Sequence, residues 1–246
     1  MVVHYRTRGL IIKKMDRGEA DQLFVIYTKD FGKLNILGRA IRKIKSKLRS
    51  AAELFYLSDI EFIQGKLYKT LTDTILIDKF KNIRSDLEKL EIASKISETL
   101  NDLIKVEEKD ERVWELAEEV FKKLETENPS KVGYWKLEII YYYFLWNIFS
   151  ILGYQIDFYH CIICWKKLLP QNLYFSFEEG GIICGDCCKK IKKCGVIVPE
   201  VIKIIRLFLK KDWAVLEKLK INEQYLKQLD LISQQYLSYH KSGIID

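Results

Sequence analysis

The sequence has few of the residues that mark linkers or catalytic sites: only 3 prolines, 12 glycines and 3 histidines occur among 246 residues. Proline and glycine at this level exclude a collagen-like or linker-rich chain. No phosphate-binding loop, dinucleotide fingerprint, zinc-protease motif or nucleophile elbow is present. His4, His160 and His240 form no triad-like group. We therefore find no argument for catalysis and expect a protein that is not an enzyme.

The amino terminus lacks the apolar core and cleavage site of a secretory signal peptide. The longest uncharged run, 139–156, contains Asn147, Ser150, Gln155 and three consecutive tyrosines, which a lipid-facing helix rarely carries. We expect this run to be a buried core helix in a cytoplasmic protein that does not enter the membrane.

Positive charge is concentrated in the first third of the chain. Lys and Arg number 41 against 34 Asp and Glu, which gives a formal charge of +7. Residues 1–80 carry 16 basic and 9 acidic side chains, whereas 81–246 carry 25 of each. This asymmetry predicts a basic N-terminal module that faces a polyanion, attached to an electrically balanced remainder.

Residues 1–80 have the composition of short strands. Runs of β-branched and aromatic residues recur between turn-like segments, and the run at 58–64 alternates polar with apolar residues. Five strands are predicted, at 2–13, 23–28, 34–38, 58–64 and 68–78, with one helical pattern at 39–52. Five short strands that close on themselves predict a small barrel of the OB type.

From Asn82 onward the apolar residues recur with the helical period. The predicted boundaries are N-caps at Asn82 or Ser85 and at Asn222, a stop near Asn128-Pro129, an aromatic core helix at 132–153 and a first helical position at Pro199. The expected fold class is α+β multidomain. An OB-fold, DNA-binding domain occupies 1–80 and a helical domain occupies 81–246.

Four of the six cysteines form two C-x-x-C pairs. Nineteen residues separate Cys161 and Cys164 from Cys184 and Cys187, and the spacer resembles a hairpin. This spacing fits a tetrahedral zinc site of four thiolates, in a module at about 158–195. Because a closed site leaves no position for water, we expect one structural Zn²⁺ per chain and not a catalytic ion.

Three further residues near these pairs leave alternatives open. Cys188 directly follows Cys187 and is an alternative fourth ligand, although the C-x-x-C spacing favours Cys187. His160 is a weaker competitor, and Cys194 is a spare cysteine. Six cysteines in a cytoplasmic chain favour metal binding or free thiols over disulfides.

The segment 39–49 contains six cations and no anion. Ile41, Ile44 and Leu48 recur in it at helical spacing, so we expect a helix that docks this face and projects its cations outward. Such cations hold phosphates, and nearby aromatic rings can stack on bases without reading sequence. The alternative is a solvated surface helix with no partner. The expected DNA-binding residues are Arg8, Tyr27, Phe31, Arg39, Arg42, Lys43, Lys45, Lys47 and Arg49.

Five short segments follow one another in residues 1–80: Thr7-Arg8-Gly9-Leu10, Gly18-Glu19-Ala20-Asp21, Phe31-Gly32-Lys33, Gly38-Arg39-Ala40 and Lys45-Ser46-Lys47-Leu48-Arg49. The four cysteines, with Gly180-Gly181 before the second pair, follow in the rest of the chain. In their order and spacing these features resemble the RecO family of bacterial DNA repair proteins, and the resemblance covers the full chain.

The resemblance implies an N-terminal OB fold and a helical domain with an inserted zinc module. It implies a recombination mediator that binds single- and double-stranded DNA and anneals complementary strands without hydrolysing a nucleotide. The implied partners are RecR, in some bacteria RecF, and the acidic, hydrophobic C-terminal tail of single-strand-binding protein. With RecR, such a protein helps to load RecA onto DNA coated by single-strand-binding protein. The implied location is the bacterial cytoplasm, at the nucleoid.

Two other classes of function compete with this one. A zinc-ribbon assembly subunit would use the basic segment to bind an acidic protein partner. A zinc-dependent enzyme acting on nucleic acid would lose activity on chelation while its fold persisted. A salt-titrated binding assay with oligonucleotides separates the first alternative from DNA binding, because phosphate binding should weaken steeply with salt.

Overall fold

The computed structural model describes residues 3–127, 135–154, 156–191 and 193–242. The chain divides into two compact units, Met1–Tyr141 and Tyr142–Asp246. Within the described ranges, no helix combines the length and the apolar character needed to cross a membrane.

The first unit contains the predicted five-stranded barrel. Its strands are β1 (His4–Arg17), β2 (Asp21–Thr28), β3 (Gly32–Gly38), β4 (Leu57–Ile63) and β5 (Lys69–Asp78). They close in the order β1-β2-β3-β5-β4, with a parallel β3–β5 pair and antiparallel pairs elsewhere. This arrangement confirms the OB-type barrel. Strand β1 extends four residues beyond the predicted end, and Val2 lies outside the described residues.

Large apolar side chains fill the barrel because the strands present β-branched and aromatic residues to one side of a pleated surface. Ile11, Phe24, Ile26, Ile36 and Phe62 are at most 1% exposed. Phe31, Leu48 and Tyr56 pack against this cluster while remaining partly exposed. The barrel therefore has a continuous core of its own.

The helix predicted at 39–52 is wrong. Residues 39–45 form turns, and the only helical part is a short 3-10 helix at Lys47–Ala51. The β1–β2 turn takes the backbone donors that a helix would use: Ala40 N donates to Asp21 Oδ1 at 2.7 Å and Arg42 N to Ala20 O at 3.0 Å. Ala40 also has a positive φ of 52°, outside the right-handed helical region.

After the barrel, residues 81–127 contain the helices α1 (Lys81–Arg84), α2 (Leu87–Leu103) and α3 (Glu111–Thr126). The predicted cap of the long helix at Asn82 or Ser85 is wrong, because the Asp86 carboxylate accepts from Glu88 N and Lys89 N. Helix α3 packs on the barrel, where Trp114 stacks with Tyr27 at a ring distance of 6.2 Å. The stop predicted near Asn128-Pro129 lies outside the described residues.

Helix α4 (Trp135–Ile151) is the aromatic core helix, although 132–134 lie outside the described residues. Its side chains from Tyr142 to Phe149 are all buried, and its polar groups have partners. Trp146 Nε1 donates to Ser233 Oγ at 3.1 Å, and Asn147 Nδ2 donates to Phe208 O at 3.1 Å. The prediction of a buried helix is confirmed, since buried polar groups are tolerated when they are paired.

A small module follows α4 in the second unit. Strands β6 (Leu173–Ser176) and β7 (Gly181–Cys184) form the predicted hairpin, and the short helix α5 (Gly185–Cys188) continues from β7. A third strand, β8 (Gly195–Val196), pairs with β6. Sequence reasoning missed this strand because two residues carry no periodic pattern.

Three helices end the second unit: α6 (Pro199–Leu209), α7 (Trp213–Leu216) and α8 (Glu223–Ser242). Pro199 occupies the first helical position, as predicted. Asn222 Oδ1 accepts from Gln224 N at 2.9 Å, which confirms the predicted cap of α8.

Candidate metal centre and nucleic-acid interface

Four cysteine sulfurs converge beside the β6–β7 hairpin. The Sγ atoms of Cys161, Cys164, Cys184 and Cys187 all lie within 4.8 Å of one another. Cys161 and Cys187 are buried, Cys184 is half-buried and Cys164 is exposed. The cluster therefore lies at the edge of the module, where one of its four cysteines is exposed to solvent.

The local backbone conformation positions each pair of cysteine sulfurs. Cys161 N donates to Lys166 O at 2.8 Å and Trp165 N donates to Cys161 O at 2.7 Å, which folds 161–166 into a tight turn. Trp165 closes this turn with a positive φ of 58°. Cys184 ends β7 and Cys187 lies in α5, so the second pair is presented by a strand-to-helix junction.

The four sulfurs fit a tetrahedral metal ion. A Zn–S bond of about 2.3 Å requires sulfurs about 3.8 Å apart, and the Sγ atoms of Cys164 and Cys184 are 3.8 Å apart. Burial by itself would raise the pKa of the Cys161 thiol, but N–H groups of Cys164, Cys184 and Ile163 lower it to about 6. Burial and the neighbouring sulfurs raise the pKa of Cys187. A bound metal cation would favour the thiolate form of all four cysteines.

The remaining candidate ligands have other partners. Cys188 and Cys194 are joined in a disulfide, with Cα atoms 6.0 Å apart, so the expectation of metal ligands or free thiols is wrong for these two. Cys187, and not Cys188, completes the four-sulfur cluster. The His160 ring lies 3.0 Å from the Asp157 carboxylate and is not part of the cluster.

The basic segment 39–49 is exposed at each of its cations. All six side chains, Arg39, Arg42, Lys43, Lys45, Lys47 and Arg49, are in the exposed class. The apolar face predicted for this segment is only partly correct, because Ile41 is 1% exposed but Ile44 is 94% exposed. Leu48 packs against the barrel core. The segment is thus a loop attached at two apolar points, with its cations outward.

The β1–β2 turn supports this loop. Arg42 Nη1 lies 3.4 Å from Asp16 Oδ2 and donates to Gly18 O at 3.4 Å. These contacts partly neutralise the charge of Arg42, whereas the other five cations form no ion pair among the described residues.

Sequence reasoning missed a second group of residues at the same end of the barrel. The Arg17 guanidinium lies 4.4 Å above the Tyr68 ring, which joins the β1–β2 turn to the β4–β5 loop. Lys66 is exposed in that loop. In OB folds these two loops flank the face that binds oligonucleotides, so the fold, once predicted, was the signal that could have identified Arg17, Lys66 and Tyr68.

The three remaining predicted DNA contacts differ in accessibility. Tyr27 is fully buried against Trp114, so its ring does not reach a base in this fold. Phe31 is half-buried and meets Tyr5 and Phe62 edge to face. Arg8 is exposed but lies 3.8 Å from Asp59 and 3.9 Å from Glu118, which reduces its attraction for phosphate.

Comparisons with known proteins cover nearly the whole chain. Residues 1–80 match the family model described as Recombination protein O N terminal, and residues 84–243 match Recombination protein O C terminal. The chain is 31% identical to the DNA repair protein RecO of Dehalococcoides mccartyi (strain ATCC BAA-2266), over 92% of this chain and 87% of that protein. It is 29% identical to the DNA repair protein RecO of Thermoanaerobacter sp. (strain X514), over 96% of this chain and 92% of that protein.

Proposed function

The chain belongs to the RecO family of DNA repair proteins, and from this premise we propose that it binds single- and double-stranded DNA and anneals complementary strands. The family places the protein in DNA repair by recombination. In the proposal it is a mediator and not an enzyme, and it acts at the bacterial nucleoid in the cytoplasm. The matched ranges support a division into an OB domain at 1–80 and a helical domain at 81–246.

The observation that carries this proposal is the exposed basic loop at 39–49. The loop contains six cationic residues and no acidic residue, and it lies beside the β1–β2 turn of an OB barrel. Cations attached to a rigid barrel attract phosphates without reading sequence. We propose that Arg39, Lys43, Lys45, Lys47 and Arg49 hold the DNA backbone, with Arg17 and Lys66 extending the same path.

Charge reversal tests this path. Lys43, Lys45, Lys47 and Arg49 are changed together to Glu, and Arg42 is retained because it supports the loop through Asp16 and Gly18. Loss of four phosphate contacts should flatten the log–log salt dependence of single-strand binding by roughly three units. The control changes Lys79, Lys81, Lys105 and Lys109 to Glu, which are also exposed in the first unit.

The control variant should keep the salt slope and the affinity. If both variants bind like the unmodified protein, the DNA path lies elsewhere. If binding to oligonucleotides does not depend on salt at all, the assembly-subunit alternative with an acidic protein partner takes its place.

Phe31 supplies the aromatic part of the proposed interface. Its ring is half-buried between Tyr5 and Phe62, and Tyr27 and Arg8 are left out as principal contacts for the reasons given above. Replacing Phe31 by Leu should weaken single-strand binding and keep the salt slope, because a stacked base contributes no phosphate contact. Unchanged affinity would assign the ring to the barrel core alone.

We also propose the family partners: RecR, RecF where it is present, and single-strand-binding protein, with RecA as the recombinase that is loaded. The test is strand annealing on oligonucleotides coated with single-strand-binding protein, with and without RecR. Annealing that RecR promotes supports the mediator role. A protein that anneals bare strands but never coated ones would contradict it.

A cavity in the second unit supports the proposed contact with the tail of single-strand-binding protein. It has a volume of about 570 Å³ and is lined by apolar Ile156, Phe158 and Leu209 and by cationic Arg206 and Lys210. The Asp157 carboxylate also lines it and accepts from the backbone N–H groups of Tyr159 and His160. The Arg206 guanidinium lies 4.0 Å above the Tyr159 ring and donates to Phe158 O. Apolar side chains beside two cations suit a peptide that is acidic and hydrophobic.

Binding of a labelled tail peptide tests this cavity. Lys210→Glu should weaken peptide binding severalfold, whereas Lys218→Glu, exposed elsewhere in the same unit, should not. Annealing of bare strands should be unchanged in both variants. Equal peptide binding by all three proteins would remove the cavity from the proposal.

Finally, we propose that the metal at the four cysteines is one Zn²⁺ with a structural role, in a module at about 158–195. Four sulfur ligands close the coordination shell, so no position remains for a reacting water. Exposed Lys166, Lys167, Lys189 and Lys190 lie next to the ligands in sequence and offset the negative charge of the thiolates. When the metal is removed, DNA affinity should then decrease only to the extent that the protein loses its folded structure.

A further inference from the structure

Two large apolar side chains project into solvent at the basic end of the barrel. Ile44 is 94% exposed and Leu67 is 88% exposed. Ile44 stands between Lys43 and Lys45, and Leu67 follows Lys66. Single exposed apolar residues are ordinary on protein surfaces, but both of these occupy loops and both have lysine neighbours.

The two loops lie along the same end of the barrel. The β1–β2 turn touches the first of them where Arg42 Nη1 donates to Gly18 O at 3.4 Å. It touches the second where Arg17 lies 4.4 Å above the Tyr68 ring. Ile44 and Leu67 are therefore carried on the two loops that flank one turn, on the side where the cations of the barrel are concentrated.

Neither side chain contributes to folding of the barrel. The core position in the basic loop is filled by Ile41, which is 1% exposed, and the core position at the start of β5 is filled by Leu71, which is 4% exposed. When a ligand covers apolar surface that folding leaves in water, the free energy of binding becomes more favourable. DNA bases are apolar on their faces, and the neighbouring lysines attract the phosphates on either side.

We propose that Ile44 and Leu67 insert between neighbouring bases of a bound single strand and unstack them. The proposal rests on the DNA path proposed along 39–49. In proteins that bend duplex DNA, apolar side chains wedge between base steps and partially unstack them. Bases that are unstacked while their phosphates are held keep free pairing edges, so a complementary strand meets them ready to pair.

The test uses oligonucleotides that contain 2-aminopurine, an adenine analogue that becomes brighter when it leaves the stack. The unmodified protein should raise its fluorescence, and Ile44→Ser with Leu67→Ser should abolish most of that rise. Single-strand affinity should fall about a hundredfold, about tenfold for each of the two apolar side chains that is removed. The salt slope should stay unchanged, because no phosphate contact is lost.

Two controls separate a wedge from a general surface effect. Leu87→Ser removes a side chain that is 84% exposed at the start of α2, and it should change neither fluorescence nor affinity. Ile44→Met with Leu67→Met keeps an apolar tip and should retain most of the fluorescence rise. Thermal unfolding of all variants verifies that the barrel is intact.

Each outcome decides the matter. A double serine variant that keeps the fluorescence rise overturns the wedge, whatever its affinity. Lower affinity with an unchanged rise also overturns it, because contact without unstacking is a different mechanism. The charge-reversal variant identifies failure of the DNA path itself: if that variant binds normally, the proposed path is wrong, independently of the result at Ile44 and Leu67.

Discussion

The barrel and the four-cysteine module are both small β structures, but they are stabilised differently. The barrel encloses a cluster of fully buried residues such as Ile11, Phe24 and Phe62. The buried cluster beside the four sulfurs of the module consists of Cys161, Ile183 and Cys187, surrounded by partly exposed side chains, and Phe175 and Ile182 of the hairpin are buried as well. Small structures that bury little apolar area depend on cross-links or metals. Burial therefore suffices for the barrel, whereas the module requires its sulfur ligands.

Metal removal should produce the largest difference between these two regions. Cys184→Ser, or treatment with a strong chelator, should release the metal and unfold the module, because structural zinc contributes about 10–16 kcal/mol of apparent binding free energy in small zinc domains. Hydrogen exchange should become fast in 161–197 and stay slow in β1–β4. Elemental analysis should find one zinc per chain before treatment.

The matched control is the double variant Cys188→Ser and Cys194→Ser, since these two cysteines pair with each other and not with the cluster. It should retain one zinc. If protein purified without chelator contains no zinc, or if the module stays folded after the metal is released, the module does not depend on zinc.

The opposite perturbation is a cavity in the barrel. Phe24→Ala should lower the free energy of unfolding of the first unit by about 3–5 kcal/mol, because Phe24 is completely buried and its removal leaves a void. Denaturant unfolding measures the loss, and zinc content should remain one per chain. A variant that loses zinc together with the barrel would show that the two regions do not fold independently.

Helix caps provide a smaller comparison. Asp86 caps α2 in the first unit and Asn222 caps α8 in the second. Replacement of either by Ala should cost about 1 kcal/mol, since one or two backbone N–H groups lose their acceptor. Urea unfolding followed separately in each unit should show the Asp86→Ala loss only in the first unit. If Asp86→Ala lowered the stability of both units equally, the two units would not unfold separately.

The smallest expected effect concerns pH and the barrel alone. The Arg6 guanidinium and the His4 ring hold the pKa of Glu61 down to about 2. The unfolded chain has a pKa of about 4.3 at this group, so its stabilisation is complete above that pH and disappears as pH falls towards 2.

Glu61→Gln should therefore be less stable than the unmodified protein at pH 7 and equally stable near pH 2. Thermal unfolding at several pH values measures the difference. Glu98→Gln, at an exposed position of α2, is the matched control and should leave the pH curve unchanged. A Glu61→Gln defect that persists at pH 2 would assign the loss to shape and not to charge.

The strands and the metal ligands could be predicted from local patterns. Alternation at 58–64 identified β4, and the two C-x-x-C pairs identified all four sulfurs of the cluster. Asn222 was recognised as a cap because its side chain bonds the next turn of its own helix. Each of these features depends on residues close in sequence, or on two short motifs joined by one hairpin, so local patterns were enough to predict it.

Other predictions failed where a distant segment supplied the decisive contact. The spacing of Ile41, Ile44 and Leu48 suggested a helix, but Asp21 and Ala20 take the backbone donors at Ala40 and Arg42. Tyr27 had the composition of a base-stacking residue, yet Trp114 covers its ring. Periodicity indicates that a face is apolar, but it does not indicate which neighbour will cover it.

By itself, the sequence determined a basic five-stranded barrel, a helical remainder and four cysteines spaced for one metal ion. Only the tertiary structure decided that Cys188 pairs with Cys194. It also decided that Ile44 and Leu67 point into solvent beside the cations. The physical reason is that side-chain chemistry is a local property, whereas exposure and pairing depend on segments that meet only after the chain has folded.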